Sequence, residues 1–230
     1  MRRVPCEVAA NGREGYYQSM LRLDDAVGII EELVRRSVAS GRAIDHTIIL
    51  VGGSALAAHG VRALSEDVDL FARSFSLDVV ATLEAEERAR RGPLFKLDAT
   101  STENLWGAIL VRDIEQDART LVRALDIGGQ RIEIRAIGIE TLFLLKVAAG
   151  RERDWRDLPL LAAKTSAQAV IARFNTLVQW HGDFHALAAF ADGVVANLRS
   201  LFGCGLEVID QLQLPDYIRR MLWEAYSSTP

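Results

Sequence analysis

Two carboxylates one residue apart, Asp67 and Asp69, lie in the segment DVDLF and could do metal chemistry. On an alternating strand both point to one side, roughly 6.5 to 7 Å apart along it. Carboxylates so placed can converge on hard cations bound through oxygen, such as Mg²⁺. Two such ions about 3.5 to 4 Å apart can clamp the attacking and leaving oxygens of a phosphoryl-type transfer. Twelve residues upstream stands Gly52-Gly53-Ser54. Glycines there let backbone N–H groups approach an anion closely, and the start of a following helix adds a favourable dipole. A phosphate cradle and metal carboxylates are therefore expected side by side.

The elements that must hold these groups are legible in residues 46–71, HTIILVGGSALAAHGVRALSEDVDLF. Thr47 to Val51 is a short β-branched apolar run ended by two glycines, which suits a buried strand. Ser54 then opens a short run of helix formers, Ala55 to Ala58, which Gly60 can stop. In DVDLF, Val68 and Leu70 face away from the two aspartates. Downstream, RTLVRALDI and QRIEIRAI read as strands joined by a hairpin at Gly128-Gly129, and WGAILVRD as a further strand. Residues 93–104 read as turn-forming and polar. Two further carboxylates on these strands are candidates to join Asp67 and Asp69. Glu133 is the choice, because Ile132, Ile134 and Ala136 face one way and Glu133 and Arg135 the other; Asp126 on the preceding strand is the competitor.

Gly52-Gly53-Ser54 followed after twelve residues by Asp67-Val68-Asp69 resembles the signature of the nucleotidyltransferase superfamily. The form GGSALxxHG…DVDLF is most similar to small bacterial nucleotidyltransferases that include the toxins of abortive-infection and type IV toxin–antitoxin systems. Those relatives often carry arginine two residues before the Thr/Ser that precedes Asp-x-Asp. Here that position is Ala63, with Arg62 just upstream, so no phosphate role carries over to Arg62. LLKVAAGRERDWRDL resembles the second motif of the same group, which carries over to Lys146, Arg153, Asp154 and Asp157.

The resemblance implies an α/β fold, a polymerase β-like palm with a mixed sheet flanked by helices. It implies Mg²⁺-dependent transfer of a nucleoside monophosphate from an NTP to an acceptor, which could be RNA, protein or a small molecule. An antitoxin protein is an implied partner. By the same resemblance Gly52, Gly53, Ser54, Lys146, Arg153 and Asp154 would hold the nucleotide; Asp67, Asp69 and Glu133 would bind two Mg²⁺; and Glu133 and Lys146 would assist the chemistry. The rival reading is a nucleotide- or partner-binding protein of the same fold with little or no activity.

With 230 residues, half of them hydrophobic and a quarter charged, the chain has the composition of an ordinary globular protein. No run of 18 apolar residues is present, so no membrane span is expected and the cytoplasm is the default location. The net charge of −4 argues against bulk nucleic-acid binding but leaves room for a local basic surface. Cys6 and Cys204 are too few for a disulfide framework or a metal cluster. The expected organisation is a nucleotidyltransferase-like domain over 17–150 and a helical region over 151–230 packing on it, after a loose arm over 1–15. Helices are expected at 17–40, at SLDVVATLEAEERARRG, and at 168–178, 184–202 and 215–226. His181 and His185 share a helical spacing, but Gly182 stands where the metalloprotease pattern needs glutamate.

Overall fold

The computed structural model describes residues 20–101, 105–106, 109–110, 113–178 and 183–228. The expected N-terminal arm, the start of the helix expected from 17, part of the strand expected at WGAILVRD, and His181 lie outside them. The elements run α1 (Leu23–Ala39), β1 (Thr47–Leu50), α2 (Gly52–Ala58), β2 (Val68–Phe71), α3 (Leu77–Arg91), β3 (Leu97–Thr100), β4 (Leu105–Trp106) and β5 (Ile109–Leu110). They continue with α4 (Ile114–Asp117), β6 (Thr120–Ile127), β7 (Gln130–Ala136), α5 (Ile139–Ala149), α6 (Glu152–Ala162), α7 (Ala167–Val178), α8 (Phe184–Phe202), α9 (Val208–Gln211) and α10 (Asp216–Ser227). No described helix is long and apolar enough to cross a membrane.

The architecture is α/β: a five-stranded mixed sheet of order β3-β2-β1-β7-β6 with flanking helices, and a separate β4-β5 ladder. β2 runs antiparallel to β1, with Leu50 opposite Leu70, and parallel to β3, with Asp69 opposite Asp98. β6 and β7 are joined at Gly128 and Gly129, whose φ values of 60° and 77° suit the mirror-image turn that matches strand twist. Gly128 also has to be glycine for space, since a Cβ there would lie 2.6 Å from Val38 Cγ1.

Two compact units divide the chain, and neither is continuous in sequence. The first takes residues up to Ser101 and Leu121–Arg135; the second takes Thr102–Thr120 and Ala136 onward. The boundary expected at 150 therefore falls elsewhere: α5, with Lys146, belongs to the second unit. Packing explains the assignment. Leu142, Phe143 and Leu144 of α5 are buried, α5 packs on α6, α7 and α8, and Phe143 meets Phe202 edge-on at 5.9 Å.

In the first unit the core is built from Ile48, Ile49 and Leu50 of β1, Val68 and Leu70 of β2, and Ile30, Leu33 and Val34 of α1, all fully buried or nearly so. α1 presents these residues at steps of three and four, so one face meets the core while Arg35 and Arg36 pair with Glu31 and Glu32 outside it. Arg36 also reaches Glu86 of α3 at 2.8 Å.

Candidate active site

β1 ends at Leu50, and the chain turns at once into α2. Gly52 makes that turn with φ +51°, a conformation that favours glycine. A Cβ at Gly52 would fall on Asp69, overlapping Oδ2 and lying 2.8 Å from Cγ. The glycine therefore does more than turn the chain: it lets the backbone approach a carboxylate closely. Gly53 is equally confined, because its Cβ would overlap Ser65 Oγ and sit 2.7 Å from Arg62 Nη2. The helix opens at Gly52, two residues earlier than Ser54.

Asp67 and Asp69 flank buried Val68 and are themselves half-buried. Gly53 N–H points at Asp69 Oδ2 across 3.4 Å, and Asp69 O accepts from Val51 N–H at 3.0 Å. Asp67 is fixed through Ser65, whose hydroxyl donates to Asp67 O at 2.8 Å and reaches Oδ1 at 3.4 Å. Ser65 in turn is held by a two-way backbone bridge to Leu21, at 2.7 and 2.8 Å. The Ser54 hydroxyl is buried and turned inward to Asp67 O at 3.3 Å. Its direct use on a phosphate would require that contact to open.

The residue chosen as third carboxylate lies elsewhere. Glu133 N–H donates to His46 O at 2.8 Å, whereas Asp69 lies level with Val51, so the two carboxylates are five residues apart along β1. At ~3.3 Å per residue that separation is about 16 Å, too far to share a cation. Glu133 is also engaged: Arg135 reaches its Oε2 at 2.6 Å and Arg131 its Oε1 at 3.7 Å. Arg135's hydrogen bond holds the Glu133 carboxyl below the usual carboxylate range, which weakens it as a base. Asp126 sits on outer strand β6, three strands from β2, or about 14 Å at ~4.8 Å per strand.

The register instead brings Asp98 to the pair. It stands opposite Asp69 on the adjacent strand β3, on the same face and exposed. Asp69 and Asp98 thus occupy neighbouring positions on one sheet face, with Asp67 in the bend just before β2 and the Gly52-Gly53 turn and the Arg62 guanidinium nearby. Their all-oxygen character fits Mg²⁺. Among the described residues no three His, Cys, Asp or Glu side chains are already gathered as a metal cage. Asp98 was missed in the sequence, and Arg62 was given no role there. Asp98 lies in KLDAT, where its alternation with Leu97 and Ala99 is a strand signal too short to stand out behind Gly92-Pro93.

Lys146, in the second unit, is buried against two carboxylates. Its Nζ lies 2.6 Å from Asp154 Oδ1 and 2.9 Å from Asp157 Oδ2, and Asp154 Oδ2 also receives Arg151 Nε at 2.7 Å. Burial alone would push the Asp154 carboxyl up; the hydrogen bonds of Arg151 and Lys146 outweigh it and hold the group below its ordinary value. The motif residues Lys146, Asp154 and Asp157 are brought together, while Arg153 faces outward on the exposed side of α6. The cluster ties α5 to α6. Comparison of the chain with protein-family models, with curated proteins and with solved structures returns no match.

Proposed function

We propose that the chain is a Mg²⁺-dependent nucleotidyltransferase with a nucleotidyltransferase-like fold, its site centred on Asp67, Asp69 and Asp98. The observation that carries this reading is the register: the Asp-x-Asp strand lies between the strand leading into the glycine turn and a strand presenting a third carboxylate. In the reaction the acceptor hydroxyl oxygen bonds to the α-phosphorus of the NTP, the bond to the bridging oxygen breaks, pyrophosphate leaves and the acceptor loses its proton. Bound Mg²⁺ would supply charge neutralisation for the phosphates. Asp67 and Asp69 are the residues to hold it. Gly52 keeps the space beside Asp69 free of side chain, Gly53 leaves room for Ser65 and Arg62, and Arg62 supplies positive charge for the phosphates. Asp98, exposed on the same face, is placed to take the acceptor's proton. Glu133 and Lys146 have no part in this scheme.

The test is incubation with each α-³²P-labelled NTP, Mg²⁺ and total RNA or cell lysate. Label is expected to move to an acceptor, and Asp67→Ala or Asp69→Ala should reduce transfer by roughly 10²-fold or more, the scale lost with a single transition-state contact. The inward-turned Ser54 hydroxyl and the Gly53 N–H aimed at Asp69 favour a second reading, a nucleotide-binding protein with little turnover. Mg²⁺-dependent binding of ATP or GTP without label transfer would select it. The resemblance to toxin–antitoxin nucleotidyltransferases supports a further proposal, that the chain acts as a toxin. Growth arrest on expression, lost in Asp69→Ala, tests that.

A further inference from the structure

We infer that the second unit carries a self-association surface: the outer face of α10, extended by Phe184 of α8, seats the same face of a second copy of this chain, the two α10 helices antiparallel. The inference does not rest on the transferase reading. α10 buries Ile218 and Leu222 on its inner side. Tyr217 and Met221, one helical turn apart, stay on the outer side at 48% and 44% exposure. Phe184 is 60% exposed and meets the Tyr217 ring edge-on at 5.9 Å, so three large apolar side chains lie together in solvent. Exposed Ala225 continues the row one turn beyond Met221. A contiguous apolar patch of this kind marks a binding face, which a single exposed apolar residue does not.

Charge identifies the occupant. Along one side of the apolar row, also one turn apart, stand Arg220 and Glu224, both exposed. On a single helix they are in the order that pairs poorly, base before acid. Among the described residues neither side chain has a hydrogen bond or ion pair, whereas neighbouring Arg219 is held by Asp216 and by Leu214 O, each at 3.1 Å. Two copies of α10 crossing antiparallel about a twofold axis level with Leu222 bring Arg220 of each copy opposite Glu224 of the other, because both residues lie two positions from that level. The same register sets Tyr217 of each copy within about 3 Å, along the axis, of Ala225 of the other, where the small residue leaves room for the ring. A parallel pair would set Arg220 against Arg220. One positive and one negative charge match neither a polyanion nor a polycation; they match this face turned end for end. The twelve residues of α10 span only about 18 Å, so the dimer is small and weak.

Sedimentation velocity of the full chain at low salt, from micromolar to millimolar concentration, should show a reversible shift from one chain towards two. Met221→Glu, which places a charge in the apolar row, should hold the protein as single chains. Arg220→Glu and Glu224→Arg each set like charges face to face at both contacts of the dimer and should weaken association about tenfold. A 1:1 mixture of these two variants, in which every contact again joins Glu to Arg, should recover it. These side chains are exposed, so circular dichroism should not move. Single chains throughout the concentration range would overturn the inference. So would association that Met221→Glu leaves intact, or a mixture that associates no better than its two components.

Discussion

Gly52 is where sequence and geometry constrain each other most tightly. Its positive φ alone would cost a substituted residue about 1 kcal/mol; here the new Cβ would also meet the Asp69 carboxylate. Gly52→Ala should therefore destabilise by about 2–3 kcal/mol in urea unfolding. Gly41 is the internal control, with φ +63° and nothing within 4 Å of its Cβ position. Gly41→Ala should show only the conformational part, about 1 kcal/mol. Equal costs for the two would mean that Asp69 does not press on the turn. At this scale the sequence was informative about Asp67, Asp69 and the glycines, because residue type and spacing are local. It was silent on Asp98 and gave Arg62 no role, because their relevance comes from which strand pairs with β2 and from where a long side chain lies.

Between elements, the α5–α6 connection depends on one ammonium between two carboxylates. Removing it leaves two buried negative charges, so Lys146→Met should cost about 3–5 kcal/mol. The pH dependence follows from Asp154, whose folded carboxyl ionises more readily than its unfolded one. Its contribution to stability is complete above the unfolded pKa of about 3.9 and is lost as pH falls through the lower folded value. Urea midpoints should hold from neutral pH to about 5 and fall below 4. In Lys146→Met the fall should be smaller, because one of the two hydrogen bonds that oppose burial is gone and the folded carboxyl moves back toward its unfolded value. A flat profile in both proteins would remove Asp154 from the stability of this pair. The helices were legible as elements: 168–178, 184–202 and 215–226 were expected, and 167–178, 184–202 and 216–227 are found. Apolar periodicity reports a helix well. It does not say what a lysine on that helix faces, and Lys146 was expected at a triphosphate.

Across the whole molecule, the two units interleave: strands β6 and β7 complete the sheet of the first only after the chain has contributed residues 102–120 to the second. The expected cut at 150 would strand α5 without the helices that bury Leu142, Phe143 and Leu144. A 17–150 fragment should therefore aggregate, or show no cooperative unfolding, whereas the full chain unfolds cooperatively. A soluble, cooperatively melting fragment would contradict the division. The α/β class, the hairpin and the order of the first strands could be read from local patterns. The domain boundary could not, because it is set by which apolar faces meet after a crossing that no periodicity records. β3 escaped for the same reason, being four residues long and paired in parallel with a strand almost thirty positions earlier.

The proposed chemistry depends on which carboxylate joins Asp67 and Asp69. The most direct measurement is label transfer from α-³²P-NTP by Asp98→Asn beside Glu133→Gln, with circular dichroism confirming that both are folded. Asp98→Asn should lose about 10²-fold or more in rate, and Glu133→Gln should stay close to wild type. Full activity in Asp98→Asn together with loss in Glu133→Gln would contradict the site built on the β2–β3 register.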